Sequence, residues 1–266
     1  MERYGLGGHA VLFVHGFATA SFLWRAVAPP LAADGHTALA ADLLGYGESD
    51  RPLDAEYGIA AQAEYMDRAL AALRVDTATV VGLGIGAGVA LHLAARRPAR
   101  VTGLVLVNGV ALDECPGRDV RTIQLGSARF ALRISRAVLG AAPLLREVLE
   151  RSVADRGAMP ARLLARYLAP YVGGEGVVHL LTLARALRQE DMSELDLAPL
   201  RAPTTIVWGE AEPWLDPGLP ERLQGAIPGS IVVRLPGIGR LVPEEAPDAL
   251  VRIVREMIER SAPPAR

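Results

Sequence analysis

The chain has 266 residues, of which 51% are hydrophobic and 22% are charged, and this length favours one large domain over two. The net charge of −2 gives no electrostatic reason to expect nucleic acid or an acidic membrane as a partner. Cys115 is the single cysteine, so an internal disulfide and a metal site of the CxxC type are excluded.

Short apolar runs alternate with longer helical patterns along most of the chain. Strands are predicted at His9–Gly16, His36–Asp42, Thr77–Gly84, Arg100–Gly109, Ala202–Glu210 and Ser230–Gly237. Helices are predicted at Ser21–Gly35 with a proline interruption, and at Gly58–Val75, Gly86–Pro98 and Ala246–Ser261. Strands that alternate with helices predict a mostly parallel sheet flanked by helices, an α/β fold.

The middle of the chain lacks any strand pattern. Helical spacing runs through Ala128–Ser152, Met159–Val172 and Glu175–Gln189, and the sheet pattern then resumes. We therefore predict an α/β core domain formed by residues 1–112 and 198–266. An all-helical cap, residues 113–197, is inserted after the fourth predicted strand.

Four segments resemble motifs of the α/β-hydrolase superfamily, in the branch that carries a helical cap. They are "FVHGF" at Phe13–Phe17, "ADLLGYGESDRP" at Ala41–Pro52, the turn "GLGIG" at Gly82–Gly86, and "WGEAEPW" followed by "PGIGRLVPEEAPDAL" at Trp208–Leu250. The resemblance spans nearly the whole chain and implies the α/β-hydrolase fold. In this family the G-x-S-x-G turn presents a nucleophile between a strand and a helix.

The resemblance also implies that the usual catalytic groups are replaced. The nucleophile position of the turn is Gly84, the acid position of W-G-x-x-D-P is Glu212, and the histidine position of G-H-x-x-x-x-E-x-P is Arg240. Arginine stays protonated and cannot act as a general base. Serine-type acyl transfer in the ordinary arrangement is therefore excluded.

The family's oxyanion hole consists of backbone amides, which these substitutions do not remove. Here the resemblance assigns those amides to Phe17 and Ile85. Glycine adopts the strained turn at little cost, so Gly84 is expected to keep the donors while vacating the volume of a side chain. Such donors stabilise negative charge on a substrate carbonyl without covalent chemistry.

Three further residues are candidates for acid–base chemistry. His15 belongs to the His-Gly turn, where an organising role is the commoner one. Asp42 ends a strand at the usual ligand crevice. Its side chain either hydrogen-bonds into the following glycine loop or acts as a substitute acid or base. His179 lies on a predicted cap helix, where a surface role is commoner; facing the pocket, it is the best remaining base.

The replaced Glu212 and Arg240 are expected to form an ion pair. It either holds two loops together or anchors a ligand, with Glu212 orienting the guanidinium. Trp24, Trp214 and Tyr46 are expected to border the pocket as a flat apolar wall, although core packing is the commoner role for each. Apolar faces on the cap, with Phe130, Tyr167 and Tyr171, also favour an apolar ligand. A buried, idle thiol is expected at Cys115.

These expectations define a leading functional hypothesis and two alternatives. The leading hypothesis is a cofactor-free, metal-free, non-hydrolytic enzyme acting on a bulky apolar carbonyl compound by C–C bond formation, cyclisation, elimination or isomerisation. Composition and the use of divergent family members favour bacterial natural-product biosynthesis. The alternatives are a non-catalytic binder of a small molecule and a hydrolase that uses an activated water, with His179 or Asp42 as base.

The expected partner and cellular location are argued from the short segment before the first predicted strand and from the length of the apolar runs. Only nine residues precede Ala10, where relatives carry a β-hairpin, so the strand Thr37–Asp42 is expected near a sheet edge. An unprotected edge favours a homodimer, and a misplaced start codon explains the short beginning equally well. The run Ala10–Val14 is too short for a signal peptide, and no stretch approaches the length of a membrane span, so we expect a cytoplasmic protein.

Overall fold

The computed structural model describes residues 1–125 and 140–261. A seven-stranded sheet forms the centre of the fold, with the strand order β1-β3-β2-β4-β5-β6-β7. The strands are β1 (Glu2–Tyr4), β2 (Ala10–Val14), β3 (Thr37–Ala41), β4 (Ala78–Leu83), β5 (Val101–Val107), β6 (Thr204–Gly209) and β7 (Ile231–Leu235). All neighbouring strands pair in parallel except β1 with β3.

Helices cover the sheet and fill the interval between β5 and β6. They are α1 (Ala28–Ala33), α2 (Ile59–Ala72), α3 (Ile85–Arg96), α4 (Arg118–Gln124), α5 (Ala142–Arg151), α6 (Ala161–Leu168), α7 (Gly173–Ala186), α8 (Glu190–Ser193), α9 (Leu219–Ala226), α10 (Val242–Glu245) and α11 (Pro247–Ser261). Short 3₁₀ helices lie at Ser21–Trp24, Arg156–Ala158 and Ala169–Tyr171.

The central strands are buried because helices pack on both faces of the sheet. Every residue of β3, β4 and β6 is buried, as continuous apolar runs in a parallel sheet predict. The predicted α/β-hydrolase fold, with a mostly parallel sheet flanked by helices, is therefore confirmed.

The expected free edge at β3 is wrong. The strand β1 pairs antiparallel with β3, with Glu2 opposite Ala40 and Tyr4 opposite Ala38. The sequence argument missed β1 because its three residues are polar or half-exposed and show no apolar run. The argument for a homodimer through this edge loses its support, and a homodimer remains an untested prediction.

Helices α4 to α8 form a helical insertion between β5 and β6, which we call the insertion. It follows the fifth strand of the chain because β1 precedes the four predicted ones. The division into a core and a separate cap domain remains a prediction. Phe130 and the first part of the predicted helix Ala128–Ser152 lie outside the described residues. None of the described helices is long and apolar enough to cross a lipid bilayer.

Candidate functional site

The turn between β4 and α3 is built around Gly84. This residue has φ +56° and ψ −116°, a conformation that side chains resist, which explains glycine here. Its amide donates to the carbonyl of Val107 at 3.1 Å, and its carbonyl accepts from Ala87 and Val110, each at 3.1 Å. The turn is thus fixed by backbone hydrogen bonds that need no side chain at position 84.

The loop after β2 packs directly against this turn. A Cβ atom built on Gly84 would lie 3.7 Å from the Cα atom of Gly16, and one built on Gly86 would lie 2.2 Å from the carbonyl oxygen of Val14. Both residues that carry the expected oxyanion amides, Phe17 and Ile85, are buried. Within residues 1–125 and 140–261 neither amide has a hydrogen-bond partner. Two uncommitted donors therefore flank the turn.

Arg240 borders the space that a side chain at position 84 would take. A Cβ atom on Gly84 would lie 3.1 Å from Nη2 and 3.7 Å from Nε of Arg240. The volume expected to be vacant at Gly84 is therefore bordered at contact distance by a guanidinium, and its availability to a substrate remains a prediction. The same distance supports the alignment of Arg240 with the family's histidine position.

Arg240 is ion-paired with two carboxylates. Its Nη1 atom lies 3.5 Å from Oε1 of Glu212, the expected partner, and 3.6 Å from Oδ2 of Asp119. The exposed fractions of Arg240, Glu212 and Asp119 are 5%, 8% and 4%. Sequence reasoning missed Asp119, which lies in the first turn of α4, outside every motif that carried the resemblance.

The buried cluster carries more negative than positive charge. Burial raises the pKa of the Glu212 carboxyl, while Arg240 and the amide of Trp214 oppose the rise. Burial lowers the pKa of Arg240, but Asp119 and Glu212 outweigh it and raise that pKa overall. Oε2 of Glu212 and Oδ1 of Asp119 are enclosed by protein and have no hydrogen-bond partner among the described residues.

The loop that carries Arg240 is held from both sides. Nδ2 of Asn108, at the end of β5, donates to the carbonyls of Gly239 at 3.1 Å and Arg240 at 3.0 Å. The amide of Gly239 donates to Glu245 at 2.8 Å, and Glu245 also accepts from the amide of Ala154 in the insertion at 2.7 Å. These contacts fix the guanidinium at the turn.

His15 organises the loop after β2. Its Nε2 atom accepts from the amide of Leu43 at 3.1 Å, so Nδ1 carries the proton and donates to the carbonyl of Gly16 at 2.8 Å. Burial lowers its pKa and keeps the ring neutral. Both ring nitrogens are committed, which leaves no lone pair for a substrate.

Asp42 supports the glycine-rich loop after β3. Oδ1 accepts from the amide of Ser21 at 2.6 Å, and Oδ2 accepts from the amide of Glu48 at 3.2 Å. These bonds match the alternative in which Asp42 hydrogen-bonds into its own loop. Its role as an acid or base remains a prediction.

His179 lies on α7 and contacts the same loop. Its Nε2 atom donates to the carbonyl of Gly45 at 2.6 Å, and its ring stacks on Tyr171. Burial and the nearby Arg51 lower its pKa, so the ring is neutral and Nδ1 keeps its lone pair. The described contacts do not bring His179 to Gly84.

The three aromatic residues do not form one wall. Trp24 is fully buried in the core and packs on Phe13 with 5.0 Å between ring centroids. Trp214, which follows β6, is hydrogen-bonded to the insertion: its indole Nε1 donates to Oγ of Ser152 at 2.8 Å. Tyr46 lies in edge contact with His15 and Phe17, in the loop after β2.

A crevice of about 270 Å³ opens between the core and the insertion. Of the residues that the sequence analysis singled out, Asp42 and the cap residues Tyr167 and Tyr171 line it, whereas Gly84 and Arg240 do not. We call it the β3 crevice, and its lining includes Glu2, Phe22, Asp42, Glu48, Tyr167 and Tyr171.

Comparison with known proteins assigns the family. The profile of the α/β-hydrolase fold family matches residues 9–247, which is most of the chain. The protein therefore belongs to the α/β-hydrolase fold family, as the turn at Gly84 and the sheet order had indicated.

Relatives with descriptive names include hydrolases and dehalogenases. The chain is 26% identical over 255 residues to an uncharacterized hydrolase of Bacillus subtilis, YugF, covering 95% of this chain and 91% of the relative. It is 42% identical over 103 residues to a haloalkane dehalogenase of Mesorhizobium japonicum, covering 39% of this chain and 33% of that protein. An α/β-hydrolase fold protein from Burkholderia ambifaria superposes with a TM-score of 0.85 at 28% identity, covering 96% and 92% of the two chains.

Proposed function

We propose that this protein is a hydrolase in which water, and not a side chain of the turn, attacks the carbonyl carbon of an apolar small-molecule substrate. The observation that carries the proposal is the set of N–H donors at Gly84. These are the uncommitted amides of Phe17 and Ile85 together with the guanidinium of Arg240, 3.1 Å from the position of a Cβ atom. Hydrolytic relatives favour this reaction over the non-hydrolytic reactions expected from the sequence.

The donors would polarise the carbonyl and stabilise the negative charge that develops on its oxygen. Loss of one such donor typically lowers kcat by about 10²–10³. Arg240 adds positive charge, which Asp119 and Glu212 more than balance. This balance favours a neutral ester or lactone over a substrate whose reacting group is already an anion.

Glu212 is the proton acceptor that fits this reaction. Burial raises its pKa, which makes its carboxylate a stronger base, and its Oε2 atom has no partner in the described part of the chain. In the balanced step, water adds to the carbonyl carbon, its proton passes to Glu212, and the proton then passes to the leaving oxygen as the C–O bond breaks. Asp42 is less suitable because backbone amides already bind both of its oxygens. His179 is less suitable because its described contacts, with Gly45 and Tyr171, do not bring it to Gly84.

The test is a panel of neutral esters and lactones with bulky apolar acyl groups, followed by mass spectrometry of products formed in ¹⁸O water. We expect one labelled oxygen in the acid product and no covalent acyl-enzyme. Glu212→Gln keeps the size of the side chain and should lower kcat by at least about tenfold. The rate should rise with pH as the Glu212 carboxyl ionises, and Glu210→Gln, an exposed acid two residues away, should match the wild type.

A non-catalytic ligand-binding protein is the second candidate. The enclosed, unpartnered oxygens of Glu212 and Asp119 favour it, because water cannot touch them without displacing neighbouring atoms. Binding of panel compounds without any hydrolysis product would select this candidate and overturn the hydrolase proposal. A rearranged or cyclised product would instead select the non-hydrolytic chemistry expected from the sequence.

A further inference from the structure

The guanidinium of Arg240 presents one particular edge to the turn at Gly84. Beyond the neighbours of Gly84 in the chain, the three heavy atoms nearest to a Cβ atom built on it are Nη2 of Arg240 at 3.1 Å, Nε of Arg240 at 3.7 Å and Cα of Gly16 at 3.7 Å. The Cζ atom is bonded to both nitrogens but lies no nearer than they do. The Cβ position therefore lies outward from the Nε–Nη2 edge and not over the flat face of the group. We call this edge the Arg240 fork.

The fork has no partner in the described part of the chain. The ion pairs use the third nitrogen, Nη1, which lies 3.5 Å from Oε1 of Glu212 and 3.6 Å from Oδ2 of Asp119. Neither Nε nor Nη2 has a hydrogen-bond partner among residues 1–125 and 140–261, and neither atom is fully enclosed by protein. The two carboxylates thus hold one end of a buried guanidinium and leave its fork available to a ligand.

The chemistry of the fork restricts what it can bind. Its two N–H bonds are parallel and fixed in one plane, and they match two oxygens bonded to a single carbon. A carboxylate has that arrangement, but the buried carboxylates of Glu212 and Asp119 outweigh the one positive charge of Arg240 and oppose a further anion. A neutral group that carries two oxygens on one carbon is an ester.

Ring closure decides which esters can accept from both donors. In an open-chain ester, the alkyl group on the single-bonded oxygen lies on the same side as the carbonyl oxygen and blocks approach along that edge. In a small-ring lactone, the ring forces this alkyl group to the opposite side. The carbonyl oxygen and the ring oxygen then face outward together. A lactone therefore fits the fork with two hydrogen bonds, whereas an open-chain ester accepts only one.

We propose that the Arg240 fork selects a small-ring lactone as the substrate at Gly84, an inference that rests on the proposed hydrolysis. One N–H of the fork shares the carbonyl oxygen with the amides of Phe17 and Ile85, and the other donates to the ring oxygen. Water adds to the carbonyl carbon, and its proton passes through Glu212 to the ring oxygen as the ring C–O bond breaks. The product is a single hydroxy acid.

The experiment compares the binding of three neutral probes. They are δ-decalactone, 3-pentylcyclohexanone, which has CH₂ in place of the ring oxygen, and ethyl octanoate, an open-chain ester with the same number of carbons as the lactone. Titration calorimetry uses Glu212→Gln, in which turnover is suppressed. The lactone should bind at least about tenfold more tightly than the ketone or the ester, the scale of one hydrogen bond from a charged donor.

Two further variants, made in the same Glu212→Gln protein, locate the preference. Arg240→Lys keeps a positive charge but has no fork, so the lactone and the ketone should bind equally well. Arg234→Lys changes an exposed arginine that pairs with Glu221, and it should retain the preference for the lactone. Circular dichroism shows whether each variant is folded. If Arg240→Lys does not fold, the comparison of the three probes in Glu212→Gln alone decides.

Four results would overturn the proposal. They are equal affinities for the lactone and the ketone, an ester that binds as tightly as the lactone, an unchanged preference in folded Arg240→Lys, and wild-type protein that binds decanoate more tightly than the ketone. Hydrolysis of δ-decalactone by the wild type is followed separately, by mass spectrometry of the hydroxy acid. Preferential binding of the lactone without that product would retain the fork as a lactone-binding group and refute only the hydrolysis. Hydrolysis without the binding preference would refute only the role of the fork.

Discussion

Replacing Arg240 with methionine should expose the electrostatic dependence of the site. Methionine keeps an unbranched apolar stem and removes the guanidinium, which leaves Glu212 and Asp119 buried without their shared partner. A buried carboxylate that loses its counter-ion is strongly destabilising, because water no longer solvates the charge.

The magnitude follows from the distances. At 3.5 and 3.6 Å, each attraction is worth about 4–5 kcal/mol at an effective dielectric constant of 20, before repulsion between the carboxylates and desolvation are subtracted. Measured losses on breaking a buried pair are about 3–5 kcal/mol. We expect the free energy of unfolding at pH 7 to fall by about 4 kcal/mol, with a decrease in Tm of about 10 °C.

The loss of unfolding free energy in Arg240→Met should shrink as the pH falls. Glu212 already has a raised pKa, and without Arg240 it takes up a proton more readily still. A group whose pKa is raised by folding stabilises the native state below its unfolded-state pKa and loses that contribution as the pH rises. The variant should therefore approach the wild type as the pH falls from 7 towards the usual pKa range of a carboxyl group, as followed by urea unfolding at each pH.

Arg234→Met provides the matched control. Arg234 forms an exposed ion pair with Glu221, which should contribute less than about 1 kcal/mol. The triple variant Arg240→Met, Glu212→Gln and Asp119→Asn should recover stability, because it removes the buried charges. A loss below about 1 kcal/mol in Arg240→Met, or a deficit independent of pH, would refute the reasoning.

Three other predictions test separate parts of the structure. Gly84→Ser should lower the free energy of unfolding, measured in urea, by about 1–3 kcal/mol, because residue 84 has a positive φ and its Cβ atom would contact Arg240. The variant should not hydrolyse p-nitrophenyl acetate, and strong turnover would show that a base has been overlooked. Burial raises the pKa of the Cys115 thiol to about 12, so native protein at pH 8 should not react with Ellman's reagent, and unfolded protein should; rapid native labelling would contradict this. Ser152→Ala removes the acceptor of the Trp214 indole and should cost about 1–2 kcal/mol with a shift in tryptophan emission, whereas Ser193→Ala, on α8, should leave that emission unchanged.

The fold could be predicted from the sequence because the sheet is buried. Strands β2 to β7 show apolar runs, and these runs were the main signal. The edge strand β1 gave none, since Glu2 and Arg3 are exposed. Helix α4 was missed because Arg118–Gln124 is a short segment with charged residues in its first turn.

The candidate site was predictable where a motif existed and unpredictable where contacts join distant segments. The motifs located Gly84, Glu212 and Arg240, and the distances confirm that these residues meet. Asp119 reaches Arg240 from the insertion, and no local pattern records that approach. Trp24 was predicted to border the pocket because it lies near a loop in the sequence pattern. In the structure its side chain is buried in the core.

The attachment of the insertion restricts how a small molecule gains entry. Trp214 holds Ser152, and Glu245 holds the amides of Ala154 and Asp155, so the segment beside Arg240 is fastened to the loops after β6 and β7. Parting these surfaces would break several hydrogen bonds at once. A molecule travelling to the amide of Phe17 would therefore meet less resistance from the opposite flank, past Ala18, where the β3 crevice already reaches solvent.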